Sequence, residues 1–209
     1  MRTYKIHFIR HGLTEANLDG RYIGKTDLPL CSAGIERLEE LKTKIDYPYT
    51  ELIFSSPLAR CLETAEIIYP SIEPTVIEEL AEYDFGEFEN KTALELENDE
   101  DYKGWTSGRI PSPPNAEDPK AFTERLALGL NKMVRIMMEK GVYDAAAVMH
   151  GGAIMTLFSA TALPRRAAVE WITEDGLGYT AKITPSLYGK SGIIEIVDTV
   201  PKISNDEEE

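Results

Sequence analysis

Two of the three histidines in this chain each end an apolar run and are followed by glycine: Phe8-Ile9-Arg10-His11-Gly12 and Val148-Met149-His150-Gly151-Gly152. In an open parallel sheet the carboxyl ends of the strands line the ligand crevice, so two imidazoles delivered there from distant sequence can meet across one pocket. Two arginines are placed to join them: Arg10, next to the first histidine, and Arg60, in the first helical turn expected after Ser55-Ser56-Pro57. A guanidinium offers a planar fork of donors matched to phosphate oxygens, and a phosphate monoester carries about two negative charges at neutral pH. A neutral imidazole is a competent nucleophile, and adjacent arginine charge favours the uncharged ring. One histidine could attack phosphorus while the other, with the arginines, neutralises the equatorial oxygens of an in-line transition state. The departing oxygen also needs a proton. Glu82 follows Leu80-Ala81 and has Glu78, Glu79 and Asp84 around it, a setting that raises a carboxyl pKa toward that task.

The hydrophobic pattern supplies the frame for these groups. Tyr4 to Ile9 reads as a buried strand, and the long polar loop from Gly12 to Cys31 is expected to be functional rather than merely connecting. Ser32 is expected to cap a helix with Ile35, Leu38, Leu41 and Ile45 on one stripe. Glu51 to Phe54 is a short strand, and Ser55-Ser56-Pro57 reads as a cap with proline at the first helical position of the next helix. Thr75 to Ile77 is a further strand. Between about 87 and 119 a short acidic helix candidate from Thr92 gives way to glycines and prolines, which predicts a lid or cap insertion. Phe122, Leu126, Leu130, Met133 and Met137 mark a helix from Pro119 or Lys120 to about Lys140. A buried strand, Ala145 to Met149, precedes a helix starting near Gly151 or Gly152, and period-two strands follow at Tyr179 to Thr184 and Gly192 to Val197. The alternation predicts an α/β fold, a three-layer α/β/α sandwich around a mostly parallel sheet, as one domain over residues 1–209 with a disordered acidic tail at 202–209.

Four motifs in this order resemble the histidine phosphatase superfamily, the phosphoglycerate-mutase-like enzymes: Arg10-His11-Gly12, Ser55-Ser56-Pro57-Leu58-Ala59-Arg60, Leu80-Ala81-Glu82-Tyr83-Asp84-Phe85-Gly86 and His150-Gly151-Gly152. The resemblance spans residues 4 to 160. It implies that His11 is the phosphorylated nucleophile, that Arg10, Arg60 and His150 form the phosphate pocket with Gly151, and that Glu82 is the proton donor. Thr14 and Asn17 match family positions that contact the phosphate or hold the loop. Departures are Leu13, where glutamate is common, Phe88, where tryptophan is usual, and Asn115-Ala116-Glu117, which keeps only the acid of a Gly-Glu-Ser step and makes Glu117 a weaker site candidate. The chain looks shorter between Glu82 and His150 than the family's mutases, which favours a phosphatase of the α-ribazole or broad-specificity sugar-phosphate kind over a mutase. A noncatalytic phospho-ligand sensor on the same fold is the alternative of another class.

Composition sets outer bounds. The net charge of −14 is concentrated: Glu78 to Asp101 holds eleven acids against Lys91, and Asp206 to Glu209 adds four more. Such a surface repels nucleic acid and fits a small phosphorylated metabolite as partner. Cys31 and Cys61 form no disulfide framework or metal pair and read as reduced packing residues. No cofactor and no metal is called for, since two arginines beside His11, His150 and Glu82 would repel a cation. No apolar run approaches the ~20 residues of a membrane span, and the first strand begins almost at Met1, so the expected location is cytoplasmic. His7 is assigned no role; Arg21, Tyr22 and Lys25 are loop candidates for substrate contact. Oligomeric state is not readable from the sequence.

Overall fold

The computed structural model describes residues 2–201, so the tail expected over 202–209 lies outside the described residues. One seven-stranded sheet organises them: β1 (Tyr4–Arg10), β2 (Ile53–Ser55), β3 (Thr75–Val76), β4 (Asp144–Met149), β5 (Ala162–Leu163), β6 (Gly178–Ile183) and β7 (Ile194–Val200), in the order β3-β2-β4-β1-β6-β7-β5. The pairs β2 with β3, β2 with β4, β1 with β4 and β5 with β7 are parallel, while β6 runs antiparallel to both its neighbours. The sheet is mostly parallel, as its sequence pattern implied.

Helices cover both faces. They are α1 (Glu15–Leu18), α2 (Ser32–Lys44), α3 (Ala59–Ile68), α4 (Glu100–Thr106), α5 (Pro119–Lys140), α6 (Gly151–Thr161) and α7 (Pro185–Ser191). In β4 the alternation of side chains decides the layering. Ala145, Ala147 and Met149 face a core shared with Leu126, Leu130 and Met133 of α5 and with Ile154 and Leu157 of α6. Ala146 and Val148 face the opposite core, shared with Leu38 of α2 and with Cys61 and Ala65 of α3. Small alanines on this central strand leave room for helices on either side, which produces three layers. None of the helices is long and apolar enough to cross a membrane among the described residues.

The termini of α5 follow from its sequence. Asp118 accepts hydrogen bonds from the Lys120 and Ala121 amides, Pro119 occupies the first turn, and Gly141 ends the helix at φ 67°. Two expected caps are corrected. Helix α2 is capped by Cys31, whose Sγ accepts from the Gly34 amide, and Ser32 is already helical. Helix α3 begins at Ala59, not at Pro57, and Leu58 in the cap position offers no side-chain acceptor. The Asp27 carboxylate supplies it from the loop, accepting from the Ala59 amide at 2.8 Å. The expected helix from Thr92 is also displaced: Asp99 caps α4, Thr92 bridges to Arg21, and Ala93 to Asn98 forms turns.

Candidate active site

Strands β1 and β4 are parallel neighbours with Arg10 opposite Met149, so the next residues, His11 and His150, leave the sheet side by side. The His11 amide donates to the Met149 carbonyl at 2.9 Å, and the two imidazole centroids are 5.1 Å apart with planes inclined at 67°. Both rings are buried. His11 Nδ1 lies 2.7 Å from the Gly12 carbonyl oxygen, which can only accept, so Nδ1 carries the proton and the lone pair is on Nε2. Burial, reinforced by the charges of Arg60 and then Arg10, lowers the His11 pKa to about 3. The ring is therefore kept neutral across the physiological range.

Arg60, in the first turn of α3, donates from Nε to His11 Nε2 at 3.3 Å. Its outer nitrogens donate to the carbonyls of Thr26 (2.9 Å) and Gly24 (2.8 Å). The loop between Gly12 and Cys31 thus orients the arginine fork through its backbone. Glu89 fixes that loop in turn, accepting from the amides of Gly24, Lys25 and Thr26. One turn farther along α3, Thr64 accepts from the Gly12 amide at 2.9 Å and donates to the Arg60 carbonyl, tying the two motifs together.

Arg10 is held from the other side. Its Nη1 donates to the Thr173 carbonyl and its Nη2 pairs with Asp175 at 3.1 Å, whereas its buried Nε has no hydrogen-bond partner among the described residues. A buried N–H without an acceptor costs free energy, and a phosphate oxygen would satisfy it. Gly151, the first residue of α6, makes room for this side chain: a Cβ there would lie 3.3 Å from Arg10 Nε.

His150 caps α6 by position. Its Nε2 is 2.8 Å from Ser56 Oγ, and Cys61 Sγ approaches the same ring at 3.5 Å. Burial, then the His11 ring and Arg60, keep its pKa well below the usual range. Burial also pushes the Cys61 thiol up, so it is an uncharged packing group. Glu82 is buried at the start of α6, its two carboxyl oxygens accepting from the amides of Tyr83 (2.8 Å) and Gly152 (2.9 Å). Burial raises its pKa against the opposing effect of those amides and of Arg60. Gly152 has to be glycine for this contact, because a Cβ would sit 2.8 and 2.9 Å from the Glu82 oxygens. Thr14 and Asn17 form a reciprocal cap on α1, the Thr14 hydroxyl donating to Asn17 Oδ1 at 3.0 Å. They brace the loop that follows His11.

Residues 6–174 match the sequence profile described as Histidine phosphatase superfamily (branch 1). The chain belongs to that superfamily. Its members include phosphatases and phosphoglycerate mutases. Over 172 residues the chain is 28% identical to the adenosylcobalamin/alpha-ribazole phosphatase of Escherichia coli (strain K12), covering 80% of this chain and 83% of that protein. It is 32% identical over 155 residues to the uncharacterized phosphatase PhoE of Bacillus subtilis (strain 168), covering 72% and 74%. Among solved structures, the alpha-ribazole phosphatase from Shigella flexneri superposes with a TM-score of 0.71 at 27% identity over 86% of this chain and 90% of that one.

Sequence reasoning missed several groups of this histidine-phosphatase site. Ser56 was assigned to a helix cap, yet its hydroxyl meets His150 across 94 positions of sequence. Arg125, on α5, was not singled out; it donates to the carbonyls of Glu79, Ala81 and Glu82 and forms a two-point pair with Glu117. Glu117 thus holds the arginine that braces the segment carrying Glu82. Arg21 and Lys25 are engaged elsewhere, Arg21 with Glu95 and Lys25 with Asp84. Among the described residues no group of three His, Cys, Asp or Glu side chains is arranged to hold a metal ion. A separate cavity of ≈370 Å³ lies between the carboxyl ends of α2 and α3, around Tyr47 and Tyr69, and holds no histidine or arginine.

Proposed function

We propose that the protein is a phosphatase that hydrolyses phosphate monoesters of small molecules through a phosphohistidine on His11, without a metal ion. The observation that carries this reading is the His11 ring itself: neutral, with Nδ1–H held by the Gly12 carbonyl and the Nε2 lone pair directed toward Arg60. When substrate binds, the Arg60 Nε–H transfers its hydrogen bond from His11 Nε2 to a phosphate oxygen, and the unpartnered Arg10 Nε–H takes another. His11 Nε2 then bonds to phosphorus as the ester P–O bond breaks, and the protonated Glu82 gives its proton to the departing alcohol. His150 and the arginines offset the charge on the equatorial oxygens. In the second half, the Glu82 carboxylate takes a proton from water as the water oxygen bonds to phosphorus and the P–N bond breaks. Inorganic phosphate leaves and both residues return to their starting states.

Residues 87–119 are proposed to cap the leaving-group side of this centre. The named activities of the Escherichia coli and Bacillus subtilis relatives support a phosphatase. The test is phosphate release from a panel of monoesters in excess chelator, with acid-labile phosphate on the quenched protein measured in parallel. Turnover and labelling are expected in the native protein and absent in His11→Ala. Activity that chelator removes and metal restores, or a His11→Ala protein that still turns over, would overturn the mechanism.

A further inference from the structure

A cavity of ≈330 Å³ is lined in part by the proposed proton donor, Glu82, and by Gly152. This volume is in the range of small-ligand pockets, roughly 300 to 1,000 Å³. Its remaining lining is largely aromatic, Tyr83, Phe85, Trp105 and Phe122, together with two prolines and the uncharged Thr123 and Thr156. The rings are locked edge to face, Tyr83 lying 5.2 Å from both Phe85 and Phe122 and Phe85 lying 6.1 Å from Trp105. Trp105 is also backed by Tyr22 at 5.5 Å, Phe88 at 5.8 Å and Tyr102 at 6.2 Å. Its indole is thus set in place before any ligand arrives, while part of the residue stays exposed. Preorganised aromatic surface of this kind binds flat apolar groups at little entropic cost.

Among the described residues no lysine, arginine or histidine lines the cavity. The cations nearest in sequence to the lining are engaged outside it: Lys103 pairs with Glu100, Lys120 with Glu124 and Arg125 with Glu117, and Arg109 donates to the Glu100 carbonyl. The surrounding segment from Glu78 to Asp101 carries eleven acids and one base. A leaving group bearing a carboxylate or a second phosphate would enter this space with no cation in its lining to neutralise it and an acid-rich segment beside it.

We propose that this chain selects monophosphates whose leaving alcohol carries an uncharged aromatic or heteroaromatic ring, with Trp105 and Phe85 as the specificity-determining surface. The proposal rests on the phosphohistidine reading only for orientation: the leaving oxygen faces Glu82, so the group attached to it extends into this cavity. It also disfavours the mutase alternative, whose bisphosphate needs a second cationic subsite.

The experiment compares 2-phenylethyl phosphate with n-butyl phosphate and with the phosphate ester of 3-hydroxypropionate, all alkyl esters, in chelator. The native protein is expected to show kcat/KM at least about tenfold higher for the phenyl ester than for the carboxylate ester, in keeping with the size of ring stacking. Trp105→Ala is expected to remove most of that preference by raising KM for the phenyl ester alone, and Trp105→Phe to restore much of it. Equal turnover of the three esters, a preference for the carboxylate, or a Trp105→Ala loss shared equally by all three would each overturn the proposal while leaving the mechanism intact. The native-protein comparison decides the matter even if Trp105→Ala does not fold. Failure of the phosphatase reading looks different: no ester is hydrolysed and no acid-labile phosphate forms on the protein.

Discussion

Replacing the proposed proton donor by its amide, Glu82→Gln, separates the two halves of the reaction. The substitution keeps the side-chain length and one of two acceptors; the other, now an NH2 group, faces a backbone N–H of Tyr83 or Gly152. Losing one such bond costs about 1 to 3 kcal/mol, but the same change removes an ionisable group whose burial already disfavours its charge. The folded state is therefore expected to survive with a small change in stability. Catalysis is not. A positioned general acid is worth roughly 10² to 10⁴ in rate, or about 3 to 5 kcal/mol of barrier. An alkyl phosphate needs its leaving oxygen protonated, so both phosphorylation of His11 and turnover should fall by that factor. The phenolate of p-nitrophenyl phosphate departs without a proton, so phosphorylation should continue. Hydrolysis of the phosphohistidine still needs a base at Glu82 and should stall. Rapid mixing of Glu82→Gln with p-nitrophenyl phosphate should give a burst of one p-nitrophenolate per site, then slow release, with acid-labile phosphate accumulating on the protein. Equal slowing on aryl and alkyl esters, without a burst or labelled protein, would refute the assignment of acid and base to this carboxyl.

Three further outcomes follow from the geometry. Gly152→Ala places a methyl 2.8 to 2.9 Å from the Glu82 oxygens, so the carboxyl must shift by a few tenths of an ångström; kcat on alkyl esters should drop about 10- to 100-fold with KM nearly unchanged in steady-state assays. Arg125→Leu leaves the carbonyls of Glu79, Ala81 and Glu82 without this donor and Glu117 without its partner, and urea unfolding should show a loss of about 3 kcal/mol together with a reduced kcat; unchanged kcat would refute its positioning role. Stability should also fall with acid. His11 titrates near 3 when folded against 6.5 when free, and His150 is lowered as well, so the unfolded chain binds protons that the folded chain refuses. Their stabilisation is complete above pH 6.5 and is lost as pH falls toward 3. Glu82 acts in the opposite sense, its raised pKa favouring the folded state at low pH and losing that share as pH rises through the folded value, but it is one group against three, since burial lowers the His7 pKa as well. The urea midpoint should decline between pH 6.5 and 4; a flat midpoint would count against the buried neutral pair.

The contrast between what the sequence revealed and what it hid follows from where each partner lies. The strands β1 and β4 and the helix α5 were legible because burial imposes a period on many consecutive residues, and His11 and His150 were legible because each ends such a run. Strand β3 was legible at Thr75 to Ile77, whereas β5, two residues long, is too short to display a period and was not anticipated. Helix α7, with Gly189 inside it and no buried residue, carries no apolar stripe to find. At the site, side-chain type announces a charge or a lone pair, but it does not say which backbone group will hold it. Arg60 was placed correctly in the first turn of its helix; the carbonyls of Gly24 and Thr26 that aim it have no residue signature at all. Arg10 similarly depends on Thr173 and Asp175, in a turn that the hydrophobic pattern left unassigned. Ser56 shows the cost of reading locally. A serine before proline and an apolar stripe satisfies every local rule for a helix cap, yet the loop carboxylate of Asp27 takes over capping at Ala59, and the Ser56 hydroxyl meets His150 instead. The parallel pairing of β2 with β4 decides this, since the register that sets Ser55 opposite Val148 also sets Ser56 beside His150. The second imidazole is thus held by the same sheet register that juxtaposes it with the first, so a one-residue slip at β4 would dismantle both the pair and its anchor.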